Sequence, residues 1–104
     1  EYFSSLIYTA FINEKLKNFS GAIKYYELCS KELKQSDEKD KDWRIAYYSL
    51  RSALCQSELS TKNSIPLLEK ALKSVESKKF KDVLKERHMQ FLNKAKEIIE
   101  NNKK

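Results

Sequence analysis

Three residues in this 104-residue chain have side chains that could carry reactive chemistry by type: His88, Cys29 and Cys55. Their spacing limits what they can do. His88 is the only histidine, and its neighbours four residues away on a helix are Leu84 and Leu92. A metal centre needs three or four ligands, so His88 reads as a partly buried structural histidine. Cys29 has no nearby histidine to activate a thiolate. The two cysteines read as free buried thiols of a reducing compartment, with a disulfide as the alternative. A single Gly excludes a Gly-rich phosphate loop, a dinucleotide fingerprint and a Gly-flanked nucleophile turn. The acids mostly stand beside Lys, as in Lys85-Glu86-Arg87, the pattern of a solvated helix face. The expectation is therefore no enzyme, no metal and no cofactor.

The charge distribution bears on nucleic acid. The formal net charge is +6, and residues 78–104 hold 9 basic and 4 acidic groups, so the last segment carries most of the excess. That attracts polyanions. However, Lys outnumbers Arg 18 to 3, and base readers that make bidentate contacts favour Arg. The aromatics fall at core-like spacing rather than as stacking platforms. A basic helical nucleic-acid-associated domain remains an alternative, resting on Lys78, Lys79, Lys81 and Lys85. Lys78-Lys79-Phe80-Lys81 reads as a solvated inter-helix loop before it reads as a nuclear address.

Long helices must position these residues. One Gly and one Pro are too few for the turns of a β-architecture. The fold class is all-α, in one domain over 1–104. Helices are expected over about Ser4–Lys17, Gly21–Gln35, Trp43–Leu59, Ser64–Glu76 and Phe80–Asn101. Asp40 or Asp42 is expected to cap the third, and Pro66 to fall in the first turn of the fourth. No apolar run is long enough to cross a bilayer. The start at Glu1 carries no signal-peptide pattern and suggests a piece of a longer protein. The expected location is intracellular, cytoplasmic or nuclear.

A shift of 42 residues overlays the chain on itself. Ala22 falls on Ser64, Tyr26 on Leu68 and Cys29 on Ala71. The same shift carries Tyr8 onto Leu50 and Leu92, and Phe11 onto Ala53 and Ala95. The expected architecture is two antiparallel hairpins, 4–35 and 42–76, with a closing helix over 79–101.

Ala22-Ile23-Lys24-Tyr25-Tyr26-Glu27-Leu28-Cys29 and its copy Ser64-Ile65-Pro66-Leu67-Leu68-Glu69-Lys70-Ala71 resemble the second helix of the tetratricopeptide repeat, with Phe19 at the family's turn aromatic. The departures are a period of 42 rather than 34, and Thr9-Ala10 and Arg51-Ser52 where the family has Leu-Gly. The resemblance implies a right-handed superhelix and a non-catalytic adaptor or scaffold that binds a peptide or helix of a partner. Carried over by register, its groove positions are Ser4, Ile7, Phe11, Glu14 and Lys15, then Ala46, Ser49, Ala53, Gln56 and Ser57, then His88 and Phe91. Lys15 is present, but the family's early Lys-plus-Asn pair is not, which argues against a clamp for acidic chaperone tails. A second resemblance joins Arg87–Ile98 to the last helix of the microtubule-interacting-and-trafficking (MIT) domain. That family is a three-helix bundle which binds helical tails of membrane-remodelling proteins.

The first helix is the outlier. Tyr2, Phe3, Leu6, Ile7, Tyr8, Ala10, Phe11, Ile12 and Leu16 leave it almost no polar face. A helix that is apolar all round is buried all round. The outer face is therefore expected to meet an upstream repeat, a second copy of the chain or a protein partner.

Overall fold

The computed structural model describes residues 2–77, 80 and 82–103. Five helices follow one another: α1 (Tyr2–Lys15), α2 (Phe19–Lys34), α3 (Lys41–Leu59), α4 (Thr61–Val75) and α5 (Glu86–Lys103). No strand occurs among the described residues, and the fold is all-α as expected.

Local chemistry sets the boundaries. α1 stops at Lys15 because the chain turns left-handed at Lys17, with φ 62°. Asn18 N–H bonds to Asn13 C=O at 2.8 Å and Lys17 N–H to Glu14 C=O at 3.0 Å. This is the paired bonding of a Schellman stop, with Lys in the place that favours Gly. Asn18 then caps α2, its side-chain oxygen accepting from Gly21 N–H at 3.3 Å. Asp40 precedes α3 without a side-chain cap bond, and Asp42 lies in the first turn, where a negative charge suits the helix dipole. A single extended residue, Ser60, separates α3 from α4. α4 therefore starts three residues earlier than expected, and Pro66 is its sixth residue rather than part of its first turn. The carbonyl that Pro66 leaves without an amide partner belongs to Lys62, which is exposed to solvent.

The start of α5 is the larger correction. Phe80, Val83 and Leu84 have helical spacing, yet the helix begins at Glu86. Ahead of it, Phe80 N–H bonds to Ser77 C=O and Val83 N–H to Phe80 C=O, the three-residue spacing of 3-10 geometry at Phe80 rather than an α-helix. Phe80 and Leu84 still pack against the core from this strap. Lys78, Lys79 and Lys81 lie outside the described residues.

α3 is the central element. One cluster joins Leu6, Ile7 and Ala10 of α1 and Ala22, Tyr26, Cys29 and Leu33 of α2 to Tyr47, Tyr48 and Cys55 of α3. The other joins Ala46, Leu50, Ala53 and Leu54 of α3 to Leu68, Ala71 and Val75 of α4 and Leu92, Ala95 and Ile99 of α5. α1 and α2 run in opposite directions: Phe3 C=O meets Cys29 Sγ at 3.7 Å, and Asn13 lies beside Gly21. The radius of gyration, 13.2 Å, is close to the roughly 13 Å of a globular 100-residue domain.

The repeat is visible in burial, with one slip. Ala22 and Ser64, Tyr26 and Leu68, and Cys29 and Ala71 are buried in pairs. Leu50 and Leu92, and Ala53 and Ala95, are likewise buried. Tyr8 does not join Leu50: it is 63% exposed, whereas Leu50 is fully buried. In α1 the buried partners of Leu50 and Ala53 are Ile7 and Ala10, one residue out of step. The connections differ as well: three residues join α1 to α2, and one joins α3 to α4. The outer face of α1 is not covered, and Tyr8, Ile12 and Leu16 form an exposed stripe at four-residue spacing.

Candidate functional site

Two features are built around α3, on different sides of it. Arg51 and Ser49 are two residues apart, which is about 160° around a helix.

On one side, Arg51 is 8% exposed and enclosed by aromatic rings. Its guanidinium lies 3.8 Å from the Phe91 ring centre and 4.8 Å from that of Phe11, with Tyr26 and Tyr47 just beyond. Arg51 Nη2 donates to Glu14 Oε1 at 3.1 Å, and Nη1 donates to the Tyr47 hydroxyl at 3.1 Å. The same Glu14 oxygen accepts from the Tyr26 hydroxyl at 2.6 Å and from Cys55 Sγ at 3.6 Å. Arg51 Nε is buried without a hydrogen-bond partner among the described residues. Burial alone would make the guanidinium easier to deprotonate, but Tyr26, Glu14 and Tyr47 outweigh it and hold Arg51 firmly cationic. Burial pushes the Tyr26 phenol far up, and Glu14 adds to that. Burial, followed by the Glu14 charge, pushes the Cys55 thiol up to about 12. Burial also raises Cys29. Both cysteines are free, and both are protonated, unreactive thiols near neutral pH. The Glu14 oxygen that faces Arg51 is engaged by three donors. This arrangement fastens α1, α2, α3 and α5 together through one ion pair.

On the other side, α2 and α4 stand apart above α3 and leave an open groove of about 860 Å³. Ile45, Ala46, Tyr48, Ser49, Ser52, Ala53 and Gln56 of α3 form its floor, with Tyr26 of α2 beside them. Glu27, Ser30, Lys31 and Lys34 of α2 form one wall, and Leu67, Lys70, Ala71 and Ser74 of α4 the other. Asp42, Ser77 and Phe80 contribute to the lining as well. The small side chains at Ala46, Ser49, Ser52 and Ala53 let another backbone come close along that part of the floor. Leu67, 47% exposed, offers an apolar contact on the wall. The volume lies in the range of roughly 300–1,000 Å³ typical of ligand sites.

The residues expected to share one groove are distributed over both features. Ala46, Ser49, Ala53 and Gln56 line the groove. Phe11, Glu14 and Phe91 gather on Arg51. Ile7 and Ser57 are buried, and His88 is buried against α3. Ser4 and Lys15 are exposed on α1, and neither lines the groove. Leu92, central to the MIT resemblance, is a core residue, whereas Met89 is 37% exposed. Sequence reasoning missed Arg51 as a hub, although Arg51-Ser52 stood out as a departure from the repeat pattern. It also missed the α2 and α4 walls.

Among the described residues, no group of three or more His, Cys, Asp or Glu side chains could hold a metal ion, and no helix is long and apolar enough to cross a membrane. In comparisons with known proteins, no family model, curated protein or solved structure matches the chain.

Proposed function

We propose that the protein is a non-catalytic helical-repeat module of tetratricopeptide-like character, an adaptor that holds a helical segment of a partner protein in the groove between α2 and α4. The observation that carries this reading is the groove itself: a run of small residues at Ser49, Ser52 and Ala53 on the α3 floor, an apolar contact at Leu67, and three lysines against the two acids Glu27 and Asp42 in the lining. A floor of Ser49, Ser52 and Ala53 suits close helix packing, because small side chains bring two backbones together. Lys31 and Lys34 on one wall and Lys70 on the other favour acidic residues flanking the apolar face of the incoming helix. The two buried free thiols fit a reducing, intracellular setting. The alternatives from the sequence, an MIT-type tail binder and a nucleic-acid-associated domain, place their ligands elsewhere: between the last two helices, or on the basic final segment.

The test is selection from a library of helical peptides, with Ser49→Trp as the counter-screen. Peptides that bind the wild type should lose at least about tenfold in affinity against Ser49→Trp, about 1.4 kcal/mol, and should keep their affinity for Tyr8→Lys. Peptides indifferent to Ser49→Trp would remove the groove from consideration. A second reading draws on the exposed stripe of Tyr8, Ile12 and Leu16: two copies associate through α1. Sedimentation showing a monomer at high concentration defeats it.

A further inference from the structure

His88 is the third residue of α5, and its side chain serves the start of that helix. Lys85, the residue before the helix, accepts the first turn's amides with its carbonyl: His88 N–H at 2.9 Å and Met89 N–H at 3.1 Å. In return, Lys85 N–H donates to His88 Nδ1 at 2.9 Å. The side-chain bond is one half of a capping box, the half in which the third residue reaches back to the amide ahead of the helix. Glu or Gln usually fills that place. Histidine can fill it only while Nδ1 carries no proton, because an acceptor is required.

The same ring docks α5 on α3. The imidazole is 4% exposed and meets Tyr47 and Trp43 edge to face, with ring centres 4.7 and 5.3 Å apart. The charged and titratable groups around it offer no relief to a positive imidazolium. α3 presents the neutral Tyr47 phenol and the Arg51 cation, α5 presents Arg87, and the preceding segment presents Lys85. Glu86 on the same turn is exposed. The Glu14 oxygen on α1 that reaches Arg51 is also engaged by Tyr26 and Cys55. The amino-terminal end of a helix is itself positive. Burial first, then Arg87, Lys85 and Arg51, hold the imidazole pKa below its ordinary value.

We infer that His88 is a proton-operated latch: neutral, it caps α5 and docks it on α3, and on protonation it loses the cap and releases the helix. Because the folded state resists the proton, the unfolded chain binds more protons below the ordinary histidine pKa of about 6.5. The latch is closed above that pH and weakens as pH falls through the lowered value. Release uncovers the apolar face of Leu50, Leu68 and Val75, which pack with Leu92, Ala95 and Ile99 in one cluster. With only one histidine in the chain, no other side chain of ordinary pKa titrates between about pH 5.5 and 7.

The test is native-state amide exchange between pH 7.5 and 5, corrected for intrinsic exchange, together with an NMR titration of His88. Protection at Leu92, Ala95 and Ile99 should fall by up to about tenfold per pH unit from the ordinary histidine value down to the lowered value of folded His88 and level off below it, while that at Ala22, Tyr26 and Leu33 stays level. His88→Gln keeps a capping acceptor and removes the titration, so its α5 protection should be flat with pH. A wild-type α5 that shows no pH dependence overturns the inference, as does a His88→Gln protein with the same dependence. A measured His88 pKa at or above the ordinary value overturns it directly.

Discussion

Removing Glu14 should damage this fold more than removing its partner. One Glu14 oxygen accepts from Arg51 at 3.1 Å, Tyr26 at 2.6 Å and Cys55 at 3.6 Å. Glu14→Ala leaves the Arg51 charge enclosed by Phe11, Tyr26, Tyr47 and Phe91, beside an Nε that already lacks a partner among the described residues. Removing one partner of a buried ion pair costs about 3–5 kcal/mol. The Glu14 side chain is 26% exposed against 10% for Arg51, which places this case near the low end, at about 3 kcal/mol. Arg51→Met is milder. Its chain still fills the aromatic enclosure and the freed Glu14 can reach water, so the expected cost is about 1–2 kcal/mol. Glu14→Ala/Arg51→Met should be less destabilised than the summed single changes by about 1–3 kcal/mol. Urea unfolding at pH 7, followed by helical circular dichroism, measures all of these. A Glu14→Ala cost under about 1 kcal/mol, or strict additivity in the double variant, would refute the hub as the fastening between helices.

Lys17 holds a left-handed conformation at φ 62°, so Lys17→Gly should raise stability by about 0.5–1 kcal/mol in the same assay, because only Gly adopts that region without strain. Cys29 and Cys55 should resist a thiol reagent at pH 8 in the folded protein and react on unfolding, because burial keeps both protonated and pushes Cys55 up to about 12; rapid native labelling of Cys55 would contradict its placement. Tyr8→Lys and Ile12→Lys should each change stability by no more than about 0.5 kcal/mol, because both side chains face outward.

What could be read from the sequence follows the range of the interactions involved. Periodicity is a local property, and it located all five helices and the α2–α4 repeat, whose equivalent positions Tyr26 and Leu68 are both fully buried. Register across a turn is not local in that sense. Across the turn after α1, Ile7 rather than Tyr8 is buried as Leu50 is. Phe80 and Leu84 kept their apolar contacts but not their helix, because the cap between Lys85 and His88 fixes where α5 begins. The pairing of Glu14 with Arg51 spans 37 residues and leaves no periodic trace. Its only mark in the sequence was an arginine where the repeat pattern places Leu. The groove likewise depends on how far α2 stands from α4, a spacing that no single helix encodes.

The most direct test of the interaction-module reading is site-specific photo-crosslinking from position 49 of the intact protein in cells, with positions 4 and 15 on α1 as controls and the captured peptides sequenced. The account predicts that position 49 captures a discrete partner segment with an apolar helical face and acidic flanks, and that the controls do not capture it. Capture of that segment equally from positions 4 and 15, or of no discrete segment from position 49, would contradict it.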